Sequence, residues 1–301
     1  MFYIKHDTSN FTIIDCNICE ENENEILEEL KKQSNSRIKR FISTHPDEDH
    51  IKGIKVLDDA DLIPNFYCVE NETTKEKETD DFKYYCNLKN GDKVYYLKKG
   101  INRKWLNESD ATNGSSGITI LWPKTDNEHY IEELEKIKEG NSPNNICPII
   151  QYSLKDGVKC LWMGDLEKNF ISKVKDDIEW PEVDILFAPH HGRKSGKLSK
   201  EILDKINPLL IVIGEAPSEE IDYEYYDYDT ITQNTAKDIL FECNDDKVSI
   251  YVSSESYAND GSVKEFDNIS EMYLDKELKV NDKSIKNANK IMVLKNRLIR
   301  L

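Results

Sequence analysis

The segment RFISTHPDEDHIKG, residues 40–53, constrains the chain more than any other. A β-branched, apolar run leads into His45, Asp47, Asp49 and His50, and apolar residues at helical spacing follow. Side chains two apart in extended backbone point the same way, so His45 and Asp47 can bind one cation. Asp49 and His50 stand at the turn into the helix and can face a second cation. The alternative is a solvated acidic turn in which Asp49 caps the helix, but a histidine at each end of the turn disfavours it.

Two later segments each end an apolar strand with further ligand-type side chains. The first, VKCLWMGD (158–165), ends in Gly-Asp, so Asp165 is predicted at a strand end, where one carboxylate can bridge two cations. The second, DILFAPHHG (184–192), ends in His190, His191 and a glycine. An ordinary turn would explain Asp165, and a lone histidine is more often structural than a ligand. Two adjacent histidines directly after a strand are not typical of core packing, so the pattern favours a metal site.

Short apolar, β-branched runs alternate with amphipathic segments along the chain. Strands are predicted at residues 2–4, 11–15, 40–43, 66–69, 93–97, 118–122, 148–154, 158–163, 184–188, 209–213 and 248–252. Helices are predicted at residues 24–32, 50–57, 130–138, 198–206 and 234–241. This mixture favours an α/β fold over a helical bundle or an all-β sandwich.

Composition narrows the classes of protein further. The 301 residues carry a formal net charge of −17, which disfavours coating DNA or an anionic membrane through general charge attraction. A local basic patch beside a pocket is still allowed. No apolar stretch is long enough to cross a bilayer, and the first residues lack the pattern of a signal peptide. The seven cysteines are scattered as in a reducing compartment, so a soluble, cytoplasmic protein is expected.

The three motifs HxDxDH, GD and HHG follow one another along the chain, and their order resembles the order of the metal-binding motifs in the metallo-β-lactamase-fold hydrolases. Within them it is most similar to the branch typified by the soluble domain of the DNA-uptake protein ComEC, which has Asp at the second His of the generic HxHxDH motif. Residues 11–16, ILWP (120–123) and NNICPI (144–149) resemble further parts of that branch in the same order. The resemblance covers about residues 11–215. It implies a four-layer αββα sandwich forming a single domain over 1–301, with residues 216–301 completing the fold.

The resemblance also implies a site with two divalent metal ions, zinc or manganese. His45 and Asp47 would hold the first ion, Asp49, His50 and His190 would hold the second, and Asp165 would bridge them. His191 would be a ligand or would touch a substrate oxygen. Mixed His and Asp ligands suit zinc, and Asp in place of His makes the site more favourable for manganese or magnesium.

Two metals of this kind hold a bridging hydroxide at neutral pH, because they lower the pKa of the bound water. Asp49 is the candidate to orient that water or accept its proton, and His191 is the second catalytic candidate. The substrate-binding candidates are Arg193, Lys194, Ser195 and Lys197 in the turn after HHG, together with Asn145. A basic turn suits a phosphate group, although a solvated turn is the alternative. The leading function is therefore a phosphodiesterase or nuclease, with DNA as one candidate substrate.

The chain departs from the ComEC-like branch in three respects. Cys147 stands where the branch commonly has Ser, no Gly-His-Pro element follows residues 210–215, and no transmembrane channel is present. A hydrolase of a non-phosphate ester, lactone, thioester or amide is therefore an alternative.

Two stretches outside the motifs have an unusual composition. The acidic tyrosine segment, which begins at Glu219 and ends at Asp229, holds six acids and four tyrosines (EEIDYEYYDYD). It reads as a solvated loop or as a lid or surface for a protein partner, in which case the protein could be a non-catalytic, metal-bound binding module. The last twenty residues are basic and are expected to form an exposed hairpin, with a nucleic-acid-binding tail as the alternative.

Overall fold

The computed structural model describes residues 1–244, 246–259, 263–266, 269–280 and 290–294. Strands and helices are mixed through these ranges, which confirms the predicted α/β class. No helix in the described ranges has the length and apolar character needed to span a lipid bilayer.

The secondary-structure elements are numbered in chain order. The strands are β1 (Phe2–Lys5), β2 (Asn10–Ile14), β3 (Cys16–Asn17), β4 (Ile38–Ile42), β5 (Phe66–Cys68), β6 (Val94–Tyr96), β7 (Ile118–Trp122), β8 (Ile149–Ser153), β9 (Lys159–Trp162), β10 (Ile185–Phe187), β11 (Leu210–Ile213), β12 (Thr230–Thr232), β13 (Ile239–Cys243), β14 (Lys247–Val252), β15 (Val263–Phe266), β16 (Ile269–Lys279) and β17 (Lys290–Leu294). The helices are α1 (Glu23–Gln33), α2 (Glu48–Ile51), α3 (Ile54–Asp59), α4 (Asp80–Lys89), α5 (Glu128–Lys138), α6 (Lys168–Val174), α7 (Lys200–Ile206) and α8 (Gln233–Ala236).

The strands form two mixed sheets. One has ten strands in the order β15-β16-β14-β13-β17-β1-β2-β4-β5-β6, and the other has six in the order β12-β11-β10-β9-β8-β7. Strands β2, β4, β5 and β6 are parallel to one another, as are β9, β10, β11 and β12. The carboxyl ends of parallel strands lie at one edge of a sheet, so each sheet gathers the loops that follow its parallel strands.

The two sheets share a hydrophobic core. One cluster of buried side chains joins Ile14 and Ile42 of the ten-stranded sheet to Leu161 and Leu186 of the six-stranded sheet. The same cluster includes residues of α5, α6 and α7. A second cluster lies on the opposite face of the ten-stranded sheet, where residues of α1, α3 and α4 are buried. Central strands such as β10 and β11 are buried along their whole length, which explains their continuous apolar sequences.

Two of the predicted helices differ from those observed. The helix expected at residues 50–57 is divided at Gly53, whose φ of +80° favours glycine and whose Cβ would lie 2.7 Å from Ile18 Cβ. The helix expected at 234–241 was wrong beyond Ala236, because Lys237 adopts a φ of +65° and the chain continues as β13. Its apolar residues have helical spacing, but pairing with β14 and β17 on both sides favours the strand.

The last strand corrects the expectation of an exposed terminal hairpin. Strand β17 pairs with β1 on one side and β13 on the other, so it lies inside the ten-stranded sheet. The remainder of the last twenty residues, 282–289 and 295–301, lies outside the described residues.

Candidate metal centre

Strand ends from both sheets converge on one carboxylate. The chain leaves β4 into His45, and it leaves β9 and β10 into Asp165 and His190. Asp165 Oδ2 lies 3.9 Å from His45 Nε2 and 3.6 Å from His190 Nε2. Side chains that are far apart in sequence, predicted from three separate motifs, therefore meet at the edge where the two sheets adjoin.

Glycine is required where the chain turns into Asp165. Gly164 has a φ of +51°, and a Cβ there would lie 2.6 Å from Cys147 Sγ and 3.0 Å from Thr44 Cβ. The Asp165 backbone N–H then donates to Cys147 Sγ at 3.2 Å. Only a residue without a side chain lets this turn approach the loop after β4 so closely.

The two histidines after β10 both have left-handed backbone conformations. Their φ values are +51° for His190 and +57° for His191, which is uncommon for residues other than glycine. Backbone strain of this kind clusters at functional sites, where the surrounding structure holds it in place. Both imidazoles thereby reach Asp165 Oδ2, each with Nε2 at 3.6 Å.

A first group of ligand-type atoms surrounds His45. His45 Nε2 lies 3.6 Å from Asp47 Oδ2 and 3.9 Å from Asp165 Oδ2. This nitrogen is buried and has no hydrogen-bond partner among the described residues. A buried nitrogen without a partner is costly, and a cation held between it and the carboxylates would remove that cost. The residues present therefore fit a divalent cation.

A second group consists of Asp49, His50 and His191, whose ligand atoms all lie within 4.8 Å of one another. His191 Nε2 lies 3.5 Å from Asp49 Oδ2 and 3.1 Å from His50 Nε2. Asp165 Oδ1 lies 3.3 Å from His50 Nε2, so Asp165 contacts both groups. The resemblance implied His190 as the partner of Asp49 and His50. In the structure His191 lies beside Asp49 and His50, whereas His190 contacts only Asp165 among the described carboxylates of the site.

Asp15, itself held by Thr44, fixes the orientation of His50 through the imidazole nitrogen that faces away from the other ligand-type atoms. Asp15 Oδ2 lies 2.8 Å from His50 Nδ1, which leaves Nε2 directed toward the site. Asp15 also accepts hydrogen bonds from the Thr44 backbone N–H and hydroxyl, both at 2.7 Å. In the same way Ser195 Oγ lies 2.8 Å from His190 Nδ1. A metal-binding histidine is usually supported by a carboxylate or hydroxyl that hydrogen-bonds to the ring nitrogen that does not bind the metal.

Sequence reasoning assigned no role to Asp15 or to Lys75. Asp15 carries a signal that could have been used, since it ends a strand as Asp165 does. Lys75 Nζ lies 3.0 Å from Asp47 Oδ1, and no sequence pattern points to that contact.

The charges of the site favour cation binding. Burial alone would lower the pKa of His50, but Asp165 and Asp15 raise it well above its usual value. Burial would raise the pKa of Asp165, yet the positive charge of His50 holds it well below its usual range. Burial lowers the pKa of His191 to about 4. The Asp165 carboxylate is thus ionised and His191 neutral near pH 7, which are the forms that bind metals, whereas His50 would exchange its proton for the cation.

Asp47 is ionised as well. Burial alone would raise its pKa, but the adjacent His45 and the Lys75 ammonium lower it to about 2. Asp47 and Asp165 therefore both carry negative charge beside His45, and a divalent cation would offset that charge more fully than a proton does.

The predicted substrate-binding cations face the acidic tyrosine segment. Arg193 Nη1 lies 3.1 Å from Glu220 Oε2, and Lys197 Nζ lies 2.9 Å from Asp222 Oδ2. The Lys194 ammonium donates to the backbone carbonyl of residue 219 at 3.0 Å. These contacts occupy the basic turn that was expected to hold a phosphate.

Asn145 and Ser195 support the site rather than face the cleft. Asn145 Oδ1 accepts from the Glu167 backbone N–H, and its amide donates to Glu133, both at 3.2 Å. Ser195 contacts His190, as described above. Among the predicted substrate-binding side chains, Arg193 is the one that lines the cleft.

A cleft of about 1520 Å³ opens onto the second ligand group. Asp49, His50, Asp165 and His191 line it. The aromatic rings of residues 2, 162 and 187 line it as well, and the last two are stacked with centroids 4.4 Å apart. The lining also includes the polar residues 215, 234, 237 and 238.

Comparison with protein-family models and with curated proteins gives no match. The functional assignment therefore depends on the chemistry of this site.

Proposed function

We propose that this chain is a metal-dependent phosphodiesterase of the metallo-β-lactamase fold, similar to the ComEC-like branch. The observation that carries the proposal is the meeting of ligand-type atoms from three distant motifs around Asp165. The orphaned, buried Nε2 of His45 adds independent support, because it needs a partner that the described side chains do not supply.

The proposed fold is the four-layer αββα sandwich, formed as a single domain. Its support is the core that the two sheets share, together with buried helical side chains in both clusters. The position of the ligand-type residues, at the carboxyl ends of parallel strands, agrees with where α/β folds place their sites.

Two divalent cations, zinc or manganese, are proposed as cofactors. His45, Asp47 and His190 would hold one, Asp49, His50 and His191 would hold the other, and Asp165 would contact both. Bound cations of this kind lower the pKa of a water molecule and offset negative charge on the group being attacked. The donor set of imidazoles and carboxylates suits either metal.

The side chains of the second group have distinct tasks in this mechanism. Asp49 is about half exposed, borders the cleft and lies near His191, so it can accept a proton from an attacking water. Asp15 holds His50 in one orientation through the hydrogen bond between the Asp15 carboxylate and His50 Nδ1. The aromatic rings of residues 2, 162 and 187 also line the cleft and would keep bulk water from one side of a bound substrate.

A second candidate is hydrolysis of a non-phosphate ester, lactone or thioester. It is favoured by one observation, the pairing of Arg193 and Lys197 with carboxylates of the acidic tyrosine segment. Those ion pairs reduce the positive charge available to a phosphate.

A metal-reconstituted substrate panel separates the two candidates. Full-length protein is loaded with Mn²⁺ or Zn²⁺ and assayed on bis(4-nitrophenyl) phosphate, 4-nitrophenyl acetate and a simple lactone. Phosphodiester turnover that disappears with chelator and returns with metal supports the proposal. Turnover of the carboxylic substrates alone selects the second candidate, and stoichiometric metal without any turnover contradicts both.

A further inference from the structure

Given the phosphodiesterase activity proposed above, we propose that the cleft takes small phosphodiesters with a single negative charge and excludes polynucleotides. The acidic tyrosine segment and the acidic cleft walls would act as the specificity determinants. The reaction places the water oxygen on phosphorus and breaks one P–O bond. The water loses a proton, the departing alkoxide gains one, and the products are an alcohol and a phosphomonoester.

The acidic tyrosine segment is built into the rim of the site. The Lys194 N–H donates to the carbonyl of residue 220, and the Asp222 N–H donates to the Gly192 carbonyl, each at 2.9 Å. Ile221 and Tyr225 of the segment are buried, with 3% and 1% of their surface exposed. The segment is therefore anchored by backbone hydrogen bonds and packing directly beside the HHG turn.

Because the segment is anchored there, the surface beside the HHG turn carries a net negative charge instead of the positive charge of the basic turn alone. The basic turn offers three cations, at positions 193, 194 and 197, whereas the segment carries six carboxylates. Two of those carboxylates pair directly with Arg193 and Lys197. A polynucleotide crossing this rim would bring several phosphates to a surface with excess negative charge, and phosphate contacts dominate nucleic-acid affinity.

Further acidic side chains line the cleft. They are Glu21, Glu215 and Asp238, and the cations that line it with them are Lys237, Arg193 and the amino group of Met1, which acts on Glu215. Glu215 is partly buried, and burial together with Asp238 raises its pKa to about 7. A second phosphate placed beside Glu215 and Asp238 would lie near carboxyl groups, so it would be repelled or would have to hold a proton.

A small diester meets neither obstacle. Its one negative charge would lie beside the residues that would hold the cations, and an uncharged substituent would contact the aromatic rings of residues 2, 162 and 187, which also line the cleft. The cleft volume of about 1520 Å³ exceeds the roughly 300–1,000 Å³ typical of small-molecule sites, so space does not prevent such binding.

Substrate length tests this inference. The metal-loaded full chain is assayed on bis(4-nitrophenyl) phosphate and on single-stranded oligonucleotides of increasing length, at low and high salt. We expect kcat/KM per phosphodiester bond to fall as the oligonucleotide becomes longer. At high salt, the difference in kcat/KM between long and short substrates should be smaller, because salt screens the repulsion between the phosphates and the acidic side chains.

A charge variant locates the cause. The double substitution Glu220→Gln with Asp222→Asn removes the carboxylates that pair with Arg193 and Lys197 while keeping side-chain size. We expect it to raise kcat/KM for oligonucleotides about tenfold at low salt and to leave the small diester within about twofold. The matched control, Glu219→Gln with Glu224→Gln, removes the same charge from the same segment without breaking either ion pair, and a smaller gain is expected. Circular dichroism and thermal melting confirm that both variants fold.

The outcomes distinguish the inference from the function on which it rests. Oligonucleotides cut as well as or better than the small diester by the wild type would overturn the exclusion, as would a pair-breaking variant that keeps the wild-type length dependence. Failure to cut any phosphodiester, short or long, would instead overturn the phosphodiesterase proposal and the inference with it.

Discussion

The Asp165 carboxylate lies between two sets of imidazoles, with Oδ1 3.3 Å from His50 Nε2 and Oδ2 3.6 Å from His190 Nε2 and His191 Nε2. It is 5% exposed, so its charge is taken out of water and is balanced only by its neighbours. An ionised carboxylate in such a position is costly unless cations or hydrogen-bond donors surround it. At the scale of single residues, this side chain joins the two ligand groups.

Replacing Asp165 with Ala is expected to remove the carboxylate that contacts both ligand groups. Metal content measured by mass spectrometry should fall below the wild-type value, and phosphodiester turnover should fall more than about 100-fold. Asp176→Ala is the control, since Asp176 is an exposed carboxylate on the surface turn after α6. Full turnover and full metal content in the Asp165→Ala variant would contradict the proposal that Asp165 contacts both cations.

Asp15→Asn tests the support behind His50. The amide keeps the shape and tolerates the φ of +55° at this position, but it removes the negative charge next to His50 Nδ1. Metal affinity, measured by competitive titration with a chelating dye, is expected to weaken about 10- to 100-fold with the fold retained. An unchanged affinity would mean that the contact is structural only.

Much of the site could be predicted at this scale, because motif residues carry their chemistry with them. His45, Asp47, Asp49, His50 and Asp165 follow strand ends that the apolar pattern reveals. Which of the two adjacent histidines after β10 lies beside Asp49 could not be predicted, since it depends on left-handed backbone angles that sequence does not state. The partners of the basic turn could not be predicted either, because they come from a segment over twenty residues away.

At the scale of elements, the loops after β4 and β9 approach each other only because Gly164 has no side chain. The contact joins a loop of the ten-stranded sheet to a loop of the six-stranded sheet. Small changes in this turn therefore move Asp165 relative to His45.

Gly164→Ala is expected to lower both stability and metal affinity. The left-handed backbone costs an alanine about 1–2 kcal/mol, and the clash with Cys147 and Thr44 adds about 1–3 kcal/mol. Gly100→Ala is the matched control, because Gly100 also has a positive φ, +74°, but a Cβ there would meet nothing within 4 Å. Denaturant unfolding and metal titration of both variants measure the difference, and equal losses would show that the close approach does not matter.

Element boundaries show why part of the fold was not predictable. Residues 234–241 have the spacing of a helix, but partners on both sides make residues 239–243 a strand. Local pattern cannot reveal such partners, one of which lies about fifty residues further along the chain. The parallel strands around the site were predicted because each ends in a short run of buried, mostly apolar residues.

At the scale of the whole molecule, the candidate centre draws residues from both sheets. His45, Asp49 and His50 follow a strand of the ten-stranded sheet, whereas Asp165 and His191 follow strands of the six-stranded sheet. A cation bound between them would link the two sheets, and binding to the folded state alone stabilises that state.

Metal removal is therefore expected to destabilise the protein. Free metal at about 100 times its Kd adds about 2.7 kcal/mol, which corresponds to a rise in Tm on the order of 5 °C. Thermal melts with excess Mn²⁺ or Zn²⁺ and with chelator measure the difference. The Asp165→Ala variant should show a much smaller metal-dependent shift, and an identical shift in both proteins would place the stabilising metal elsewhere.

Anomalous diffraction from crystals of the full chain grown with Mn²⁺ or Zn²⁺ gives the most direct test of the cation pair. We expect two peaks beside the Asp165 carboxylate, one next to His45 and Asp47 and the other next to Asp49, His50 and His191. Stoichiometric metal with no anomalous peak at Asp165 would contradict the proposed centre.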